Sequence, residues 1–143
     1  PKVFAALSLL YGALDCRRSP IEPALRSLIT VRVSQINWCA FCVDINSATG
    51  LKRGISDAQL AALPEFATSP LFDERQKAAL AYAEAITRTD VGVDDALMAR
   101  VKACFDDNAV IELTALIAFQ NMSSKFNSAL DVAPQGFCRL PQK

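Results

Sequence analysis

Helix-start signals recur along this chain about once per helix length, and no stretch alternates with the period of two that a strand requires. Ser56-Asp57-Ala58-Gln59 and Asp73-Glu74-Arg75-Gln76 both place a short oxygen-bearing side chain three residues ahead of a glutamine. That is the spacing of a capping box, in which each side chain satisfies a backbone N–H at the open end of a helix. Ser19-Pro20-Ile21-Glu22 has the same spacing with proline at the first helical position, and Pro23 offers a second start. Asp94 or Asp95 opens a further helix, and Asp106-Asp107 another. A chain punctuated in this way folds as helices throughout.

Between these signals the apolar positions follow helical spacing. Residues 3–14 form a first amphipathic helix, with Ser8, Tyr11 and Gly12 on its weaker face. Their single nearby cation, Lys2, and the lack of a clear cleavage site disfavour reading them as a signal peptide. Leu25, Leu28, Ile29, Val31, Arg32 and Ile36 mark a second helix that ends near Asn37, the polar residues 34–37 predicting a turn. A helix over about residues 39–53 closes at Gly54. Pro64 interrupts the short helix that Ser56 opens. Leu80, Ala83, Ala85 and Ile86 lie inside the helix after Asp73, and Leu97, Met98, Val101 and Phe105 inside the next. The final segment runs over about residues 109–130, and its stretch 110–119 is apolar nearly all round. A helix of that kind is buried on every side, in a core or a subunit interface. The expectation is an all-α fold of six or seven helices, one domain over residues 1–143.

Composition narrows the chemistry. The chain holds no histidine, which removes Ser-His triads, Cys-His dyads and imidazole proton shuttles. Fifteen Lys and Arg against fifteen Asp and Glu leave no basic excess for nucleic acid or a membrane surface. No apolar run approaches the roughly 20 residues of a membrane span, so a cytoplasmic protein is expected. Cys16, Cys39, Cys42, Cys104 and Cys138 are too few and too irregular for a disulfide framework. The C-x-x-C pair Cys39-Ala40-Phe41-Cys42 is the one close pairing. It lacks the four ligands of a structural zinc site, and nothing in the sequence calls for a metal or cofactor.

Two cysteines three residues apart at a helix start can close a small disulfide loop. The open N–H groups and the helix dipole favour a thiolate there. Asn37 is the expected N-cap, and dipole logic makes Cys39 the more acidic thiol, with Cys42 one turn in on the same face. Trp38 and Phe41 interleave with the pair as shielding or core aromatics. Cys16, Cys104 and Cys138 each stand alone as small packing residues.

Leu28-Ile29-Thr30-Val31-Arg32-Val33-Ser34-Gln35-Ile36-Asn37-Trp38-Cys39-Ala40-Phe41-Cys42-Val43-Asp44-Ile45-Asn46 resembles the alkylhydroperoxidase D (AhpD)-like branch of the carboxymuconolactone decarboxylase family. Residues 74–85 and 111–121 look like that family's following helices, so the likeness covers about residues 20–130. The resemblance implies an all-α subunit assembled into homotrimers or homohexamers. It also implies antioxidant reduction of a small hydroperoxide by the cysteine pair, with a dithiol or protein reductant closing the cycle. Members of that branch usually carry a glutamate twelve residues before the first cysteine and a histidine four after the second. Ser27 and Asn46 stand there in this chain, and Phe41 stands where some members have another histidine. The usual proton relay is therefore missing, and decarboxylation, which is expected to use histidine, is disfavoured.

Asp44 and Glu112 are the candidates for moving protons instead. Asp44 lies about 200° round the helix from Cys42. Glu112 is the sole charge in the apolar run, expected either to pair with Arg32 or to hold a raised pKa and serve as an acid. Glu84 is a weaker candidate, and Tyr11 and Tyr82 could donate hydrogen bonds. Three readings compete: a thiol peroxidase or thiol-disulfide oxidoreductase, a redox-sensing or protein-binding oligomer of the same fold with little or no turnover, and a structural member whose catalysis was lost with the glutamate and histidine.

Overall fold

A computed structural model describes residues 2–138. Among them are seven α-helices, α1 Lys2–Leu14, α2 Pro23–Ile36, α3 Ala40–Lys52, α4 Asp57–Ala62, α5 Glu74–Thr87, α6 Asp95–Cys104 and α7 Asp107–Ala129, and a 3-10 turn at Leu63–Glu65. No strand occurs among the described residues. The capping boxes at Ser56 and Asp73 form as their spacing predicts, and the side chains of Asp94 and Asp106 accept from Leu97 and Ala109. Ser19 starts no helix. Its Oγ accepts from the Ile21 amide at 3.3 Å, and α2 begins at Pro23 instead. The reason is tertiary: Asp15 binds Arg26 Nε at 2.9 Å and Arg53 Nη2 at 2.5 Å, and Arg26 also donates to the Ile21 carbonyl. These contacts tie the preceding loop, a run of turns and bends, to α2 and α3.

The centre of the molecule is α2, not α7. Every residue from Leu25 to Ser34 is buried, so α2 is covered by α3, α5 and α7 together. In α7 the apolar run is covered on one side: Leu113, Leu116 and Ile117 are buried, whereas Ile111 is 67% exposed and Ala118 is exposed. Within this chain the run is therefore not buried on every side. An α-helix turning 3.6 residues per turn cannot bury all its faces when only one side meets neighbours. Arg32 lies inside α2 and needs a partner. Glu84 of α5 supplies it through Nε at 2.7 Å and through Nη2, and Gln35 Oε1 accepts from Nη1 at 3.1 Å. The expected pairing of Arg32 with Glu112 is not made. Glu112 leaves Oε2 buried with no partner among the described residues.

α2 ends at Ile36 with Asn37 as its C-cap, where the sequence predicts the turn, and inside its last turns Ser34 returns its hydroxyl to the Thr30 carbonyl at 2.6 Å. The chain reverses over the next two residues. Trp38 adopts φ 56°, and the Cys39 amide closes the turn on the Ser34 carbonyl at 3.1 Å. A left-handed tryptophan that is 89% exposed has little packing to offset its backbone strain. Trp38→Gly is expected to raise stability by about 0.5 to 1 kcal/mol, the strain relieved exceeding the extra freedom glycine gives the unfolded chain. A urea unfolding midpoint unchanged or lowered would contradict this. No described helix is long and apolar enough to cross a membrane.

Candidate active site

The short turn delivers Cys39 to the N-cap of α3. Its Sγ accepts from the Cys42 amide at 3.2 Å, so the sulfur itself occupies the position expected of the Asn37 side chain. Asn37 instead closes α2, and its amide donates to Asn121 Oδ1 and Ser124 Oγ of α7, both at 2.9 Å. The cap sulfur thus satisfies one of the open N–H groups at the start of α3. Both cysteines are 2% exposed. Burial pushes the Cys42 thiol up to about 12; the neighbouring Cys39 sulfur adds to this, while Asn127 of α7, donating to Cys42 Sγ at 3.4 Å, works against it. Cys42 therefore keeps its proton at neutral pH, within hydrogen-bonding reach of Cys39.

The two sulfurs open into different cavities. A cavity of about 620 Å³ is lined by Cys39, Trp38, Asp44 and, from the C-terminal segment, Pro134, Gly136 and Cys138. A second, of about 490 Å³, is lined by Cys42 and Asn46 together with Tyr11, Phe41, Phe119 and Asn127. Its walls are mainly apolar, from α1, α3 and α7.

The other sequence candidates fall into distinct places. Asn46 lines the Cys42 cavity and donates to Ser34 Oγ at 3.4 Å. Ser27 is buried nearer the far end of α3, against the Gly50 backbone, and accepts from Arg53 Nη1 at 3.3 Å; it lines neither cavity. Asp44 lines the Cys39 cavity but faces the C-terminal segment, accepting from the amides of Gln135, Phe137 and Cys138 at 2.9, 3.0 and 2.7 Å. Desolvation opposes its charge, but these donors and the Gly136 amide outweigh it and hold the carboxyl below its ordinary value. Asp44 thus ties the C-terminal segment to α3. Glu112 lines neither cavity, and Glu84 is committed to Arg32. Tyr11 donates to Asp15 at 3.1 Å, and Tyr82 shares a 2.8 Å hydrogen bond with Thr114. Trp38 is too exposed to shield the pair, whereas Phe41 meets the Phe137 ring edge-on at 6.5 Å.

Three polar residues escaped the sequence reading. Ser34, fully buried, gathers the amides of Asn46 and Gln120, the latter at 2.9 Å, and Asn127 reaches Cys42. The signal lay in α7, where Gln120, Ser124 and Asn127 recur at helical spacing on one face. Nor does Cys138 stand alone as a packing residue, since it lines the same cavity as Cys39.

Residues 1–85 match the model of the carboxymuconolactone decarboxylase family. The chain is 46% identical over 143 residues to the YnjA protein of Escherichia coli K12, covering all of this chain and 79% of that one. It is 30% identical over 115 residues to the YdfG protein of Bacillus subtilis 168, covering 80% and 78%. A crystal structure from Agrobacterium tumefaciens, of a protein of unknown function named with the antioxidant-defence protein AhpD, superposes with a TM-score of 0.88 at 26% identity, covering 94% of this chain and 91% of that one. By sequence, fold and the helix-capping cysteine pair, this chain belongs to the carboxymuconolactone decarboxylase family, in its AhpD-like branch.

Proposed function

We propose that this protein is a dithiol oxidoreductase that reduces a small hydroperoxide through Cys39 and Cys42. The observation that carries the reading is the geometry of the pair: the Cys39 sulfur caps α3, accepting from the Cys42 amide at 3.2 Å, with the buried Cys42 thiol beside it. In the first step the Cys39 thiolate attacks the terminal peroxide oxygen and the O–O bond breaks. The leaving alkoxide takes the Cys42 proton, giving an alcohol, a Cys39 sulfenic acid and a Cys42 thiolate. Cys42 then attacks the Cys39 sulfur and expels hydroxide, which closes the disulfide; a dithiol reductant reopens it. In this scheme Cys42 supplies the proton that a relay of glutamate and histidine would otherwise supply. The AhpD name of the Agrobacterium relative agrees with the reading. Consumption of an alkyl hydroperoxide with dithiothreitol as the electron source tests it: stoichiometric loss of peroxide and thiol supports it, and no consumption above buffer overturns it.

The same reading makes the active form a homotrimer or homohexamer. Val3, Phe4 and Leu9 of α1 and Ile111 of α7 present apolar side chains to solvent in the single chain. Light scattering at micromolar concentration is expected to give three or six chain masses, and a stable monomer would refute the assembly.

A further inference from the structure

We propose that Cys138 is a third redox thiol, which takes over the disulfide formed at Cys39 and carries it to the C-terminal segment. The proposal rests on the reading of Cys39 and Cys42 as the redox pair. Cys39 forms part of one wall of the larger cavity, and Pro134, Gly136 and Cys138 form part of another. The segment that brings Cys138 there has no helix or strand of its own and would fray if left untied. It is tied to the helix that Cys39 caps. Asp44 takes the amides of Gln135, Phe137 and Cys138, and the Phe137 ring packs on Phe41. Gly136, at φ 72°, makes the turn that lets amides on either side of it converge on one carboxylate. One side chain of α3 thus sets the position of Cys138 in the Cys39 cavity.

The chemistry is thiol-disulfide exchange. The Cys138 thiolate attacks the Cys39 sulfur of the Cys39–Cys42 disulfide. The S–S bond to Cys42 breaks, a Cys39–Cys138 bond forms, and Cys42 leaves as a thiolate that takes up the proton Cys138 released. No electrons are gained or lost. Cys42 is a buried thiol with a high proton affinity, so it ends protonated. What changes is access. A disulfide between two sulfurs each 2% exposed is closed to a bulky reductant, whereas Cys138 is half-buried and residues 133–137 before it are exposed. Bond formation needs Cα atoms within about 7 Å, a requirement that the disulfide mapping below tests directly.

The test is disulfide mapping on the full chain carrying Cys42→Ser, with Cys16→Ser and Cys104→Ser to remove other partners. One equivalent of diamide, a two-electron thiol oxidant, is added, followed by acid quench, alkylation and digestion. The expected product is a Cys39–Cys138 peptide pair within monomers, in more than half of the molecules. Cys39 left alkylatable, or joined to Cys39 of a second chain, overturns the proposal. If circular dichroism shows that this variant does not fold, the unmodified sequence decides. Oxidised with half an equivalent of diamide, it should yield Cys39–Cys138 as a minor product beside Cys39–Cys42. Cys39–Cys42 alone overturns the proposal while leaving the peroxidase reading intact. Absence of both pairs overturns the reading of the redox pair and this inference with it.

Discussion

Cys39→Ser is expected to lower peroxide turnover by roughly 10³-fold or more, because it removes the nucleophile and no other group can take its place at the helix cap. Serine preserves the cap geometry, accepting the Cys42 amide as the sulfur does, so the fold should stand while the chemistry fails. Cys42→Ser is expected to behave differently. The proton donor beside Cys39 is lost, and a single missing general acid forfeits about 10²-fold in rate. The slow first step still produces a Cys39 sulfenic acid. With Cys138 present that species is resolved into a Cys39–Cys138 disulfide; in the Cys42→Ser, Cys138→Ser double variant it accumulates and is trapped by dimedone. Single-turnover peroxide consumption with mass spectrometry of the Cys39 peptide checks all three variants. Sulfenic acid on Cys42 in the Cys39→Ser protein, formed at the rate of the unmodified chain, would reverse the assignment of the attacking sulfur.

Asn46→His is expected to raise the peroxidase rate by about 10- to 100-fold. Asn46 already lines the cavity into which Cys42 opens, and its amide reaches Ser34 at 3.4 Å, so an imidazole at this position has a hydrogen-bonding partner and shares a cavity with Cys42, the proton donor of the proposed first step. An imidazole with an ordinary pKa of about 6.5 exchanges protons near neutral pH, which an amide does not. The pH profile of turnover should gain a limb near that value, and Asn46→Gln, which keeps the amide, should not show it. Ser27→Glu is expected to add little. The new carboxylate would sit beside Arg53, whose guanidinium already donates to Ser27, and would be held in an ion pair outside both cavities. A rate unchanged in Asn46→His would show that proton supply does not limit the proposed reaction.

The relation of sequence to site follows from the range over which each interaction acts. Helix starts are local: Ser56, Asp73, Asp94 and Asp106 satisfy amides within three residues of themselves, so their positions are legible from the chain alone. The C-x-x-C pair is local in the same sense, because helical spacing alone puts two residues three apart on adjoining turns. Contacts across the fold were not legible. Asn37 reads as an N-cap until α7 offers Asn121 and Ser124, 84 and 87 residues away, and Arg32 takes Glu84 of α5 rather than Glu112 of α7, although both helices pack on α2. The apolar run of α7 reads as buried on every side, in a core or a subunit interface; within the chain the element with neighbours on every side is α2, and α7 leaves Ile111 open to solvent. Asp44 reads as a candidate for proton transfer or for shaping the site, and nothing local shows that its carboxylate accepts from amides more than ninety residues further along. Local hydrogen bonding and helical periodicity determined the all-α framework and the cysteine pair. Which side chains surround that pair, and the meeting of Cys138 with the cavity of Cys39, were decided only when helices distant in sequence packed together.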